Sequence, residues 1–325
     1  MQLEELGKNA KEAESILRVL DTNKKNAVLR LAAENLKKDS KIILAANEKD
    51  MENGRKKGMS EGLLDRLLLT EERIDQIAEG FYQVAALDDP IGEVLSMKKR
   101  PNGLMIGQKR VPLGVVGMIY EARPNVTADA FALCFKTGNV VILKGGSDAL
   151  YSNIAIVTSL QNTLEQENVP KTAVQLIEDT SHETAEKFMK MNQYVNVLIP
   201  RGGAGLIQTV VNHATVPVIE TGTGNCHIFV DETADFDMAV NIIINAKTQR
   251  ISVCNACESL VIHQNIVKEF MPLLAEKLKE KNVEIRGDET ILAAIKESKA
   301  KAVSATEEDW GTEYLDYIMS VKVVD

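Results

Sequence analysis

The sequence has little cysteine, no proline before Pro90 and no long apolar run. Four cysteines among 325 residues are too few for a disulfide framework, so we expect a reducing compartment, the cytoplasm. No apolar run approaches the ~18 residues that cross a bilayer, and the first residues lack the basic start and apolar core of a signal peptide. Lys and Arg number 38 against 47 Asp and Glu, which argues against a general binder of nucleic acids or anionic membranes.

The segment without proline is rich in Leu, Ala, Glu and Lys, which predicts a helical N-terminal region. One helix is expected after Asp21-Thr22-Asn23, whose side chains can cap it, and another from Thr70-Glu71-Glu72. The first helix is supported by an apolar stripe at helical spacing, formed by Val28, Leu29, Ala32, Ala33 and Leu36. At roughly 150 residues per domain, the chain length suggests two domains.

The rest of the chain predicts a hairpin and then an α/β fold. Residues 91–113 are expected to form a β-hairpin, because Pro101-Asn102-Gly103 is a turn signal between short apolar runs. From residue 114, apolar strands alternate with helical stretches, which predicts a parallel sheet covered on both faces. The expected strands are 114–120, 139–143, 174–177, 195–199 and 216–219, followed in a second unit by 227–230 and 259–263.

Two glycine-containing segments each follow a predicted strand and open into a predicted helix. One is Lys144-Gly145-Gly146-Ser147, and the other spans 200–205 with the sequence Pro-Arg-Gly-Gly-Ala-Gly. Strand ends of this kind are where α/β sheets bind nucleotides, because helix N–H groups can face an anion there. The first segment is equally explained by a turn before a helix that carries a surface lysine. The second is neither a Gly-x-Gly-x-x-Gly motif nor a Walker loop, so neither segment alone decides for a nucleotide site.

The pair Cys254 and Cys257 is open to four interpretations, three of them chemical and one purely structural. A zinc site needs four ligands, and the remaining cysteines, Cys134 and Cys226, are remote from this pair. A redox pair of the thioredoxin type follows the first strand of a small βαβ unit, whereas this pair lies late in the chain. A single nucleophilic cysteine is the third interpretation, and two small buried thiols the fourth.

The segment Glu220-Thr221-Gly222-Thr223-Gly224-Asn225 joins the two expected units. It can serve as a hinge, or it can present the Glu220 carboxylate to a cleft. The histidines His182, His213 and His227 show no partner spacing and are expected to be structural or surface residues.

Taken together and in order, these segments resemble the aldehyde dehydrogenase superfamily and, within it, the gamma-glutamyl phosphate reductase family. The resemblance spans nearly the whole chain. It rests on the motifs at 111–130, 144–147, 200–205, 220–225 and 245–256. It implies an α/β fold with a Rossmann-type parallel-sheet cofactor domain over 1–225 and an α/β catalytic domain over 226–325. The hairpin at 91–113 is then expected to be an oligomerisation element.

The resemblance also implies roles for particular residues. Cys254 matches the catalytic cysteine of the superfamily, and Asn125 matches the asparagine whose amide helps to form the oxyanion hole. Lys144 matches the lysine that contacts the adenosine ribose. Ser147 stands where many NAD-preferring members have a glutamate, which favours NADPH. The cofactor-binding set is therefore Lys144, Gly145, Ser147, Gly202 and Gly203.

The implied activity is the NADPH-dependent reduction of L-glutamyl 5-phosphate to L-glutamate 5-semialdehyde and phosphate through a cysteine thioester, the second step of proline biosynthesis. Glu220 matches the glutamate that activates water in hydrolytic members, and here we expect it to shape the cleft or handle a proton. Arg123 and Arg250 are candidates for the substrate phosphate or α-carboxylate. The implied partners are the small-molecule substrate, a second copy of the chain and glutamate 5-kinase, with no nucleic acid, membrane or metal.

Two departures from the family pattern leave alternatives open. Ile251 stands where members commonly have proline, and the family continues beyond Asp325, so the catalytic domain is expected to be incomplete at its C-terminal end. A hydrolytic NAD(P)-dependent aldehyde dehydrogenase would keep the same residues, would use Glu220 and would need no phosphate. A non-catalytic nucleotide-binding protein is the interpretation that follows if the truncation is real.

Overall fold

The computed structural model describes residues 3–222 and 224–325, and the chain divides into two compact units. The first unit ends at Thr221 and the second begins at Gly222. Both have an α/β architecture built on a parallel sheet, as the sequence predicts.

The helices of the first unit are α1 (Leu3–Leu17), α2 (Thr22–Lys38), α3 (Ser40–Lys56), α4 (Glu61–Leu67), α5 (Glu71–Ala86), α6 (Pro124–Lys136), α7 (Leu150–Gln166), α8 (His182–Phe188) and α9 (Ala204–His213). Its strands are β1 (Val94–Lys99), β2 (Met105–Lys109), β3 (Val115–Tyr120), β4 (Val140–Gly145), β5 (Val174–Leu176) and β6 (Val197–Arg201). The predicted helical N-terminal region is therefore confirmed.

Side-chain caps explain where two of these helices begin. Asp21 accepts a hydrogen bond from the Lys24 N–H at 2.9 Å at the start of α2. Thr70 accepts one from the Arg73 N–H at 3.1 Å at the start of α5. Both caps satisfy a backbone donor that has no partner inside the helix. The five apolar residues of the stripe predicted for α2 are all buried, which confirms that this face packs on the core.

The predicted hairpin is also confirmed. Strands β1 and β2 pair antiparallel across the turn that contains Gly103, whose φ of 86° is a conformation that favours glycine. Apart from Ser96, which is half-buried, every residue of the two strands is exposed.

A four-stranded parallel sheet with the order β5-β4-β3-β6 forms the centre of the first unit. All six residues of β4 are buried, because parallel strands covered on both faces bury successive side chains alike. The strand order reverses at β3, since β4 and β5 lie on one side of it and β6 on the other.

The strand expected at 216–219 is wrong. The structure has only an isolated bridge between Leu198 and Val218, in which Leu198 N–H donates to Pro217 O at 2.8 Å and Ile219 N–H donates to Leu198 O at 2.9 Å. Extending this ladder in one direction needs an N–H from Pro217, and extending it in the other needs one from Pro200. Neither proline has an N–H, so the pairing stops after a single bridge.

The second unit contains a five-stranded parallel sheet with the order β10-β9-β11-β8-β7. Its strands are β7 (Cys226–Val230), β8 (Cys257–His263), β9 (Glu284–Gly287), β10 (Ala302–Ser304) and β11 (Ile318–Val324), and its helices are α10 (Phe236–Thr248), α11 (Val267–Glu280) and α12 (Glu289–Ala294). Strand β8 lies between β11 and β7, and five of its seven residues are buried.

No helix within the described residues, 3–222 and 224–325, is long and apolar enough to cross a membrane.

Candidate active site

Three of the predicted segments meet at one edge of the first sheet. Strands β3, β4 and β6 are parallel neighbours, and their last residues pair directly, Tyr120 with Gly145 and Tyr120 with Arg201. The chain that follows each strand therefore leaves from the same carboxyl edge, beside the point where the strand order reverses. Open α/β sheets bind ligands in the crevice at such a point.

The side chain of Lys144, on β4, is buried at this edge, where the residue is only 4% exposed. Its Nζ donates a hydrogen bond to Gly145 O at 3.4 Å, and within the described part of the chain no other acceptor bonds to it. Burial lowers the pKa of Lys144 below its ordinary value of 10.5, and the charge of the Asp179 carboxylate opposes that shift. An ammonium group has three donors, so Lys144 can still donate to a ligand hydroxyl.

At two glycines of this edge, neighbouring side chains occupy the space that a Cβ would take. A Cβ on Gly145 would lie 2.5 Å from Asn153 Nδ2, a buried amide nitrogen for which the described residues offer no hydrogen-bond partner. A Cβ on Gly202 would lie 2.8 Å from Glu121 Cδ. Ser147 is exposed and begins the 3₁₀ turn Ser147–Ala149 that precedes α7.

The N-terminal end of α9 holds the side chain of Glu121, which the sequence analysis missed. The Gly203 N–H donates a hydrogen bond to Glu121 Oε2 at 3.0 Å. This N–H is among the groups expected to face an anionic ligand, and a carboxylate is itself an anion attracted to a helix N-terminus. The only sequence signal was the position of this acid directly after a buried strand.

Asn125 is the second residue of α6 and is half-buried. Its side-chain Nδ2 donates to Asp129 Oδ2 at 3.1 Å, one helical turn further along. This hydrogen bond uses one of the two amide hydrogens of Asn125, and the other stays available to a ligand oxygen.

In the second unit, Cys254 lies on the turn that joins α10 to β8 and is exposed. Its carbonyl oxygen accepts a hydrogen bond from Cys226 Sγ at 3.4 Å. A Cβ on Gly224 would lie 2.5 Å from the same oxygen, so glycine is required for this close approach. The peptide that carries Cys254 is therefore packed against the chain before β7.

Cys257, three residues later, is the first residue of β8 and is only 1% exposed. Burial raises the pKa of its thiol to about 11. A protonated thiol is a poor nucleophile and a poor metal ligand. Of the two cysteines, Cys254 is therefore the one that can react with a substrate. Within the described residues, no group of three or more His, Cys, Asp or Glu side chains could hold a metal ion.

Close to Cys254, the structure also contains a buried ion pair that the sequence analysis missed. Lys247 Nζ and Glu258 Oε2 lie 2.7 Å apart, and both side chains are inaccessible to solvent. Eleven residues separate the two in sequence, and no spacing rule for a helix or a strand predicts that they meet.

The remaining candidates are spread over both units. Asn125, Lys144, Ser147 and the three glycines Gly145, Gly202 and Gly203 belong to the first unit, as does the exposed Glu220 near its end. Thr223, part of the predicted glycine-rich segment, lies outside the described residues. The exposed rings of His213 and His227 bond only to backbone oxygens in the described part of the chain, Thr209 O at 2.8 Å and Asn225 O at 2.7 Å.

Comparison with known proteins gives consistent matches over both units. Residues 1–316 match the model of the aldehyde dehydrogenase family. The chain is 58% identical over 323 residues to the gamma-glutamyl phosphate reductase of Agathobacter rectalis, covering 99% of this chain and 77% of that protein. It is 58% identical over 318 residues to the Clostridium perfringens protein of the same name, covering 98% and 76%.

Solved structures agree with these matches. The crystal structure of gamma-glutamyl phosphate reductase from Thermotoga maritima superposes with a TM-score of 0.88 at 46% identity, covering 100% of this chain and 77% of that one. The Saccharomyces cerevisiae enzyme of the same name gives a TM-score of 0.63 at 28% identity, covering 98% and 80%. A probable aldehyde dehydrogenase from Listeria monocytogenes shares the fold, with a TM-score of 0.72 at 15% identity and coverage of 99% and 75%.

Proposed function

This chain belongs to the aldehyde dehydrogenase family and, within it, to the gamma-glutamyl phosphate reductases, and from that premise we propose that it reduces L-glutamyl 5-phosphate to L-glutamate 5-semialdehyde and phosphate with NADPH. It is thus an oxidoreductase that acts on a small molecule in proline biosynthesis. The observation that carries the chemical part of the proposal is the contrast between the exposed Cys254 and the buried Cys257.

In the proposed reaction, Cys254 supplies the nucleophile. Its thiolate attacks the acyl carbon of the acyl phosphate, and a carbon–sulfur bond forms while the bond between that carbon and the phosphate oxygen breaks. Phosphate leaves with the electron pair, so a thiolate suffices without a metal ion or a stronger base. The Asn125 side-chain amide donates to the developing oxyanion, and its hydrogen bond to Asp129 orients that amide.

The first unit is proposed to bind the cofactor through Lys144, Gly145, Ser147, Gly202 and Gly203. When bound, NADPH would supply the hydride that reduces the thioester carbon. The resulting thiohemiacetal on Cys254 then collapses: its carbon–sulfur bond breaks, the semialdehyde leaves and the Cys254 thiolate is regenerated. The buried Lys144 ammonium, with its single backbone acceptor, fits a ribose hydroxyl. Ser147 adds no negative charge, so a 2′-phosphate would meet no repulsion from that side chain.

Hydrolysis of a thioester would waste the substrate, so we propose that Glu220 shapes the cleft or moves a proton and does not activate water. Full retention of phosphate-dependent activity in Glu220→Gln would exclude the proton role. Arg123 and Arg250 are proposed to bind the phosphate or the α-carboxylate, because a guanidinium group pairs with either anion through two parallel hydrogen bonds. Exchange of each arginine for lysine keeps the charge but removes that geometry.

The same proposal includes the domain roles and the partners. The first unit is the cofactor-binding domain, the second is the catalytic domain, and the exposed hairpin β1–β2 contributes to a homo-oligomer. Glutamate 5-kinase, whose product is this unstable acyl phosphate, is proposed as a partner, and the cytoplasm as the location.

The experiment that tests this function is aldehyde oxidation by NADP⁺, assayed with and without phosphate. Activity with glutamate 5-semialdehyde that depends on phosphate supports the proposal. Activity without phosphate would instead identify a hydrolytic aldehyde dehydrogenase. Cofactor binding without any oxidation would identify a non-catalytic nucleotide-binding protein.

A further inference from the structure

Lys247 and Glu258, which form an ion pair, lie on either side of the turn that carries Cys254. Lys247 lies in the last turn of α10, and Glu258 is the second residue of β8. Their charged groups are 2.7 Å apart, with side-chain exposures of 0% and 1%. The pair therefore joins the residues just before and just after the loop 249–256.

A second contact ties Glu258 to a distant segment. Glu258 Oε1 accepts a hydrogen bond from the Leu315 N–H at 3.1 Å, in the chain that leads into β11. Leu315 has a φ of 53°, a left-handed conformation that is unusual for a leucine. One carboxylate thus connects the end of α10, the start of β8 and the approach to β11, and each of its oxygens has a partner.

Stability alone does not explain a pair like this one. Removing two charges from water costs about as much as their attraction returns, and buried ion pairs replaced by apolar side chains often leave a protein equally stable. The ammonium group and the carboxylate are satisfied only when they meet, so this pair links the end of α10 to the start of β8, on either side of the loop that holds Cys254.

We propose that Lys247 and Glu258 are positioning residues that hold the Cys254 loop in the conformation needed for attack on the acyl carbon. The inference rests on the proposed function, since it assigns a reason for holding Cys254. Neither side chain is placed in contact with the substrate, because both are inaccessible to solvent. The peptide of Cys254 is also held by Cys226 Sγ and by the close approach of Gly224, so the ion pair fixes the ends of the loop and these contacts fix its middle.

The test uses the variants Lys247→Met and Glu258→Gln in the full chain. Hydrogen exchange should become at least about tenfold faster at the amides of 249–256 while the strands of the same unit keep their protection. The kcat should fall by about 10²-fold, because a shift of about 1 Å in a reacting group has an effect of that size. The dissociation constant of NADPH should change by less than about twofold, since no proposed cofactor contact is altered. If either variant fails to fold, the double variant Lys247→Met/Glu258→Leu takes its place, because it leaves no unpaired buried charge.

The matched control is the buried ion pair between Lys25 and Asp89, which belongs to the first unit. Lys25 Nζ and Asp89 Oδ2 are 2.8 Å apart, and the two side chains are 3% and 8% exposed. Lys25→Met should lower the melting temperature and leave exchange at 249–256 and kcat at wild-type values. Unchanged exchange at 249–256 in the Lys247 and Glu258 variants would overturn the proposal, as would an equal increase in the Lys25 variant. Hydrogen exchange requires no turnover, so this outcome is readable even if the proposed reaction fails.

Discussion

Cys254 and Cys257 lie three residues apart, yet the first is exposed on a turn and the second is only 1% exposed at the start of a central strand. The difference arises because β8 runs between β11 and β7, so its first residue enters the interior of the sheet. Burial raises the pKa of the Cys257 thiol to about 11. The fold thus separates two nearby thiols into one accessible group and one inert group.

Replacement of each cysteine by serine should separate their roles. We expect Cys254→Ser to abolish turnover, because a hydroxyl group is a far weaker nucleophile than a thiolate. Cys257→Ser should remain active, with at most a loss of stability. Steady-state rates of both variants, with circular dichroism as a check of folding, provide the measurement. If Cys257→Ser is the inactive variant, the assignment of the nucleophile is wrong.

Asn125→Ala should reduce kcat by about 10²–10³-fold, the usual effect of losing one oxyanion donor. The loss should not be complete, because other donors and the nucleophile remain. Asp129→Asn is the matched control, since an asparagine oxygen can still accept the hydrogen bond from Asn125 Nδ2. A fall of less than tenfold in Asn125→Ala, or an equal fall in the control, would remove Asn125 from the oxyanion site.

The affinity for NADPH should depend on pH through Lys144. Burial lowers the pKa of this ammonium group below 10.5, so it loses its proton earlier than an exposed lysine as the pH rises. The charged form is the one proposed to hold the ribose. The dissociation constant, measured by fluorescence titration, should therefore be constant at neutral pH and rise in the alkaline range below pH 10.5.

The variant Lys144→Met tests whether Lys144 causes this pH dependence of NADPH affinity. It should bind NADPH more weakly at neutral pH and should lose the alkaline dependence. An alkaline rise of the same size in the variant would show that another group is responsible.

The stability of the protein should change in the opposite sense to cofactor affinity. A lysine whose pKa is lowered by folding is less destabilising once it is neutral, so the free energy of unfolding should rise with pH over the same range.

Glu121 should weaken cofactor binding if the N-terminal end of α9 receives a phosphate group. Its carboxylate accepts the Gly203 N–H at 3.0 Å and places a negative charge at that position. Glu121→Gln keeps a hydrogen-bond acceptor and removes the charge, so the dissociation constant of NADPH should fall by about twofold to fivefold, as expected for a charge at a helix terminus. A rise in the dissociation constant would show that the carboxylate supports the cofactor site.

Much of the fold could be predicted because it depends on local chemistry. The caps Asp21 and Thr70 mark helix starts, and the buried apolar runs mark parallel strands, as the structure confirms. The strand predicted at 216–219 is wrong for two reasons, one within the segment and one on a neighbouring strand. Pro217 lies inside the run itself, but Pro200 lies on the neighbouring strand, and only the pairing of the two segments shows that both block the ladder.

The candidate site was less predictable because it depends on contacts between distant residues. The resemblance to the family singles out Cys254, but the spacing of the two cysteines does not show which is accessible, since their exposure follows from where β8 lies in the sheet. The same holds for Glu121 against Gly203 and for Lys247 against Glu258, because these partners meet only when helices and strands pack together in the fold. The residue types were visible in the sequence, whereas their partners were not.

The most direct test of the central claim is a rapid-mixing experiment with glutamate 5-semialdehyde and NADP⁺ in the absence of phosphate. If Cys254 forms a thioester that only phosphate releases, about one NADPH per active chain should form in a burst and then stop, and phosphate should restart turnover. Peptide mass spectrometry after the burst should find the acyl group on Cys254. Continuous NADPH formation without phosphate, or an acyl group on another residue, would contradict the account.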